Sequence, residues 1–149
     1  MEQHVRVLIA DNQVYVRKGL QALLAAWPEV EVVGIGTSGI EVMQRVEQCQ
    51  PDAILMDIEK LWPNLNGTGV LAGLKTICLI KYRWPRVRLV VLTMYMAHRT
   101  AALAAGADAF LLKGCTAEAI RVALLKPGEA TLKQVMPVAP DSRPLLSVS

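Results

Sequence analysis

This sequence predicts an α/β fold, a doubly wound parallel sheet of five strands with helices on both faces, and three observations carry that expectation. Apolar runs of four to six residues alternate with longer segments of helical period, the pattern of successive βα units. The third, fourth and fifth runs are apolar at successive rather than alternate positions, which marks strands covered on both faces. Finally, a polar residue stands at the downstream end of four runs: Asp11, Asp57, Thr93 and Lys113. If the runs are parallel strands, these four side chains meet at one edge of the sheet, the edge where open α/β sheets bind ligands.

The elements follow in order. The first strand covers Val5 to Ala10 and delivers Asp11. A helix from Val14 to Ala26 comes next, with Val16, Leu20, Leu23 and Leu24 as its apolar stripe, and Pro28 ends it. The second strand is Val30 to Ile35. Ser38 caps a second helix that runs to Gln48, with Ile40, Val42, Met43 and Val46 on its buried side, and Pro51 closes it.

The third strand, Ala53 to Met56, delivers Asp57, and a loop of turn residues, Trp62-Pro63-Asn64-Leu65-Asn66-Gly67, follows. The third helix spans Thr68 to Arg83, its stripe being Val70, Leu71, Leu74, Ile77 and Cys78. Arg88 to Leu92 form the fourth strand and His98 to Ala105 a short fourth helix, stopped by Gly106. The fifth strand is Ala109 to Leu112 and the fifth helix Thr116 to Leu125. Right-handed crossovers favour the flavodoxin-like strand order 2-1-3-4-5. Residues 1–126 form one domain in this reading. The stretch 127–149, with Pro127, Pro137, Pro140 and Pro144 and no sustained period, reads as a flexible tail or a truncated linker.

Composition narrows the class. The 149 residues are 53% hydrophobic and 19% charged, which suits a compact domain and not a disordered chain. No apolar run approaches the roughly 20 residues that cross a bilayer. The N-terminus lacks the charged-then-apolar design of a secretory signal, so the expected compartment is the cytoplasm and no membrane partner is expected. Cys49, Cys78 and Cys115 are widely separated and read as buried or semi-buried thiols. His4 and His98 have no serine or cysteine arrangement around them and read as surface or loop histidines. The basic stretch from Lys81 to Arg88, interleaved with Tyr82 and Trp84, reads as a solvated loop with Trp84 tucked against the sheet.

Two carboxylates, a hydroxyl and an ammonium at one sheet edge suit a divalent cation and a phosphoryl group. The wording around them is more specific. Ile9-Ala10-Asp11-Asn12, Leu55-Met56-Asp57-Ile58-Glu59, Leu92-Thr93-Met94 and Ala105-Gly106-Ala107-Asp108-Ala109-Phe110-Leu111-Leu112-Lys113 occur in order, each at its own strand end. In these segments residues 4–125 resemble a response-regulator receiver domain of two-component signalling. Val16-Arg17-Lys18-Gly19-Leu20-Gln21-Ala22-Leu23-Leu24 and Leu92-Thr93-Met94-Tyr95 resemble most the receivers that usually precede a helix-turn-helix domain.

The resemblance implies a role for each residue. Asp57 is the phosphoryl acceptor, a carboxylate nucleophile. Asp11, Asn12, Asp57 and the backbone carbonyl of Glu59 are the Mg²⁺ ligands. Lys113 pairs with the phosphoryl group, while Thr93 hydrogen-bonds one of its oxygens and moves toward it. Phe110 is the aromatic that turns inward with that movement. The implied partners are a sensor histidine kinase or phosphotransfer protein, and an output partner or second copy at the face of the fourth helix, fifth strand and fifth helix. No DNA-binding domain is expected in this chain, and no enzymatic activity of its own.

The chain also departs from the receiver pattern. Asn12 replaces the second acid after the first strand, the loop from Asp57 to Pro63 and the third helix are longer, and the stretch from Thr93 to Lys113 is shorter. A receiver-like interaction domain independent of phosphorylation is therefore a second expectation. A phosphohydrolase using an aspartyl phosphate fits less well, because its Asp-x-Asp motif follows the first strand, whereas Asp57-Ile58-Glu59 follows the third. A flavin-binding flavodoxin fits least, since Asp11 would repel a bare phosphate.

Overall fold

The computed structural model describes residues 4–59 and 69–125. The turn at Trp62–Gly67, the start of the third helix at Thr68, the boundary at residue 126 and the stretch 127–149 lie outside the described residues. Five strands, β1 (Val5–Ala10), β2 (Val30–Gly36), β3 (Ala53–Met56), β4 (Arg88–Thr93) and β5 (Ala109–Leu112), form one parallel sheet in the order β2-β1-β3-β4-β5. The helices are α1 (Val14–Ala25), α2 (Gly39–Cys49), α3 (Gly69–Arg83), α4 (Arg99–Ala105) and α5 (Ala117–Leu125). This is the flavodoxin-like arrangement the pattern of runs predicts.

The sheet separates two cores, and the two-residue period of a strand decides which residues enter each. Leu8 and Ala10, Ile54 and Met56, Leu89 and Val91, and Phe110 face α2, α3 and α4. Val7 and Ile9, Leu55, Val90 and Leu92, and Ala109 and Leu111 face α1 and α5, where Leu20, Leu24, Ile120 and Leu124 meet them. Every residue of β3 is buried, as its unbroken apolar run requires. Burial of one such aliphatic side chain contributes about 1.5–3 kcal/mol, so these two layers dominate the stability.

The ends of the helices follow local chemistry. Ser38 Oγ accepts from the Glu41 N–H at 3.1 Å, the expected cap of α2. Gly106 closes α4 with φ of 120°, a conformation that a side chain would strain. The basic stretch is not a loop throughout: Lys81 to Arg83 end α3, Arg88 opens β4, Trp84 packs against the core, and two of the cations are drawn into the fold. Lys81 Nζ donates to Val87 O at 2.7 Å and to Asp108 Oδ2 at 2.8 Å, and Arg88 Nε donates to Ala123 O at 2.5 Å.

Three expectations about helix faces need correction. Ile40 is 63% exposed, because α2 turns Gly39, Val42 and Val46 inward and Ile40 falls off that line. Leu71 and Cys78 are likewise exposed, so Cys78 is not a semi-buried thiol. The buried face of α3 is instead Gly73, Thr76, Ile77 and Ile80. The cause is Gly73: the helix lies so close to the backbone that a Cβ there would overlap the Ile58 carbonyl oxygen. The apolar count around α3 is high all round, so close approach and not hydrophobicity selects the face.

Gly73→Ala is accordingly expected to destabilise the protein by about 2 kcal/mol in urea unfolding, the scale of overpacking against backbone that cannot yield. Intrinsic helix propensity alone has the opposite sign, favouring alanine by about 1 kcal/mol. Gly19→Ala on α1, where an added Cβ meets nothing within 4 Å, should show that stabilising sign.

Candidate functional site

The sheet ladder continues one residue past three strands, and this places the site. The Asp11 N–H donates to Gly36 O at 3.0 Å, the Asp57 N–H to Ala10 O at 3.0 Å, and the Lys113 N–H to Thr93 O at 2.8 Å. Each functional residue is thus held by the neighbouring strand before its side chain makes any contact. The two carboxylates then repeat one local motif. Asp11 Oδ1 accepts from the Gln13 N–H and Asp57 Oδ1 from the Glu59 N–H, both at 2.8 Å, turning the chain two residues on.

The other oxygen of each carboxylate faces Lys113. Its Nζ is 2.5 Å from Asp57 Oδ2, 3.5 Å from Asp11 Oδ2 and 3.0 Å from Gln13 Oε1. The cluster is nearly closed to solvent, with Asp57 1% and Asp11 2% exposed and the Lys113 side chain at 11%. Burial raises the Asp11 carboxyl above the usual range; the Gln13 N–H and the Lys113 charge oppose this, and the Asp57 charge adds to it. Burial pulls the Lys113 ammonium down, but its hydrogen bond to Asp57 and the charges of Asp57 and Asp11 outweigh that and leave it raised.

Among the described residues, two buried carboxylates share one ammonium. The donor set fits a small hard cation. Mg²⁺ is ordinarily held by one or two carboxylates, with water and phosphate oxygens completing its shell. No cluster of three or more His, Cys, Asp and Glu residues able to hold a metal occurs among the described residues, so a metal needing an all-protein cage does not fit there. Asn12 is half-buried beside Asp11, and Lys113 contacts Asp57, Asp11 and Gln13.

The remaining expected residues form a second group at the same edge. Thr93 is fully buried at the end of β4, and its hydroxyl donates to Glu59 Oε2. The Glu59 carboxylate is thus engaged by Thr93. His98 completes this group, its Nδ1 2.7 Å from Glu59 Oε2, which corrects its reading as a surface or loop histidine. Nothing in the spacing reveals this contact, because it joins the loop after β3 to the entry of α4. Phe110 is 1% exposed, inside the core on the α3 and α4 side.

A parallel sheet of this order, with an acidic pair bridged by a lysine at its carboxyl edge, defines a receiver-type domain. The chain belongs to the response regulator receiver domain family, whose model matches residues 7–125. It is 33% identical over 123 residues to a protein-glutamate methylesterase/protein-glutamine glutaminase of Pyrococcus abyssi, covering 82% of this chain and 32% of that one. It is 36% identical over 121 residues to the transcriptional regulatory protein DegU of Brevibacillus brevis, covering 80% of this chain and 48% of that one. Among solved structures, the response regulator domain of Thermotoga maritima CheB superposes with a TM-score of 0.65 at 28% identity, covering 93% of this chain and 90% of that one. The chain spans a third to a half of the length of these two curated relatives.

These relatives overturn the expectation that the chain is not an enzyme. The methylesterase is one by its name, and the shared region is 32% of its length. The lack of a serine or cysteine partner for the two histidines bears on that shared region alone. As for membranes, no helix among the described residues is long and apolar enough to cross one.

Proposed function

We propose that Asp57 accepts a phosphoryl group from the phosphohistidine of a sensor histidine kinase or phosphotransfer protein. The observation that carries this reading is the buried Asp57 carboxylate at the end of β3, 2.5 Å from Lys113 Nζ, with Asp11 beside it. An Asp57 oxygen attacks phosphorus, the P–N bond to the donor imidazole breaks, and a P–O bond to Asp57 forms. Lys113, already held against Asp57, pairs with the incoming oxygens as a point charge. Thr93 donates its hydroxyl to a phosphoryl oxygen, and Phe110 beneath α4 responds to its movement.

Mg²⁺, when bound, would neutralise phosphoryl oxygens and keep the transfer in line. Asp11 and Asp57 would hold it, with the Asn12 amide oxygen and the Glu59 carbonyl as further donors. The two buried carboxylates at the ends of adjacent strands support that assignment. Phosphorylation adds close to two negative charges at the sheet edge, enough to bias the position of α4, β5 and α5 and their affinity for a partner or a second copy. The domain of residues 1–126 would act in the cytoplasm, where such kinases present their phosphohistidine.

Beryllofluoride binding in the presence of Mg²⁺, followed by amide NMR, tests this. The protein should show shifts at Thr93, Phe110 and Lys113, and Asp57→Asn should show none. A protein that ignores beryllofluoride at millimolar Mg²⁺ would instead be a phosphorylation-independent interaction domain. Asn12, which removes one negative charge from the metal site, is the observation favouring that second reading.

A further inference from the structure

The hydroxyl of Thr93 is already engaged. It donates to Glu59 Oε2, and His98 Nδ1 lies 2.7 Å from the same oxygen. An ionised carboxylate can only accept, so Nδ1 is assigned as the donor and the carboxylate is gripped from two sides. Thr93 is fully buried and the Glu59 side chain 10% exposed, so water is not a ready substitute for either contact. The other carboxylate oxygen, Glu59 Oε1, is buried with no hydrogen-bond partner among the described residues.

A threonine hydroxyl has one proton to give. It can go to Glu59 or to a phosphoryl oxygen on Asp57, and not to both at once. We infer that Glu59 is a positioning residue that tethers Thr93 in the resting protein and competes with the phosphoryl group for its hydroxyl, while His98 holds the carboxylate in place. The inference rests on Asp57 being the acceptor. It gives the Glu59 side chain a duty distinct from that of its backbone carbonyl.

The tether also links the switch to a surface. His98 immediately precedes α4, and the segment before it carries the exposed Met94, Tyr95 and Met96. When Thr93 turns to the phosphoryl group, Glu59 loses that donor, and the grip on His98 and on the entry of α4 loosens. The affinity of the site for a phosphoryl group and the position of this apolar segment are thereby coupled.

Beryllofluoride titration at saturating Mg²⁺, read from the Thr93 methyl resonance, tests the competition. Glu59→Ala should bind beryllofluoride about tenfold more tightly than the parent, as expected when one opposing charge-assisted hydrogen bond of about 1.4 kcal/mol is removed. Its Thr93 methyl should also sit part of the way toward the bound position before any beryllofluoride is added. Glu59→Gln keeps an acceptor of the same shape and should fall between the two. His98→Ala should move in the same direction by less, and with Glu59→Gln it carries the test if the alanine variant at Glu59 does not fold. Unchanged or weaker binding in these variants, with the Thr93 methyl unmoved, overturns the tether while parent binding upholds Asp57 as the acceptor. Loss of binding in the parent and every variant overturns the acceptor reading and the tether with it.

Discussion

Lys113→Ala should destabilise the protein by about 3 kcal/mol in urea unfolding at neutral pH, the cost of removing a counter-ion from a buried charge cluster. Asp57 and Asp11 are 1% and 2% exposed and both face the lost ammonium, so neither can regain solvation in place. The sign of the pH dependence follows from Asp11. Its folded pKa is raised, so its contribution is stabilising at low pH and is lost as pH rises through the folded value. Without Lys113, one of the groups opposing that rise is gone, and the penalty of the variant should shrink as the pH is lowered into the carboxylate range. Lys113, also raised, stabilises below its ordinary value and loses that contribution above it, at alkaline pH. Mg²⁺ should restore more stability to Lys113→Ala than it adds to the parent, because the variant lacks the cation that competes with it. A penalty that ignores both pH and Mg²⁺ would mean Lys113 matters for packing and not for charge.

Strand order, strand bounds to within one residue, and the positions of the acidic pair were legible from sequence for one reason. Each depends on short-range patterning: unbroken apolar runs for β3 to β5, and one polar residue where each run stops. What was not legible depends on contacts between segments distant in the chain. The inward face of α3 is chosen by the approach of Gly73 to the Ile58 backbone, and a helix apolar nearly all round carries no trace of that choice. His98 is similar. Its partner lies on another loop, 39 residues earlier, and a single histidine in an alanine-rich segment gives no sign of it. Lys113 lay between these cases: its place at the strand end was readable, but the sharing of one ammonium between two carboxylates and Gln13 was not.

Phe110→Ala should cost about 3–4 kcal/mol, the range for truncating a buried aromatic without full collapse of the cavity. Phe110 is 1% exposed and packs in the layer that includes Ile77, Ile80, Val91 and Ala102. Register places it opposite Val91, two residues before Thr93, so it couples the switch strand to α3 and α4. A core role and a switching role differ in when the cost arises. The ring is already inside while Thr93 is bound to Glu59, so the full loss should be present in the resting protein. An aromatic that spent much of its time outside would give a small loss at rest and a larger one with beryllofluoride and Mg²⁺ bound. Urea unfolding of Phe110→Ala and its parent, with and without beryllofluoride, separates the two. An equal loss in both states makes Phe110 a fixed wedge against which Thr93 moves; a loss that grows on binding makes the ring itself the moving part.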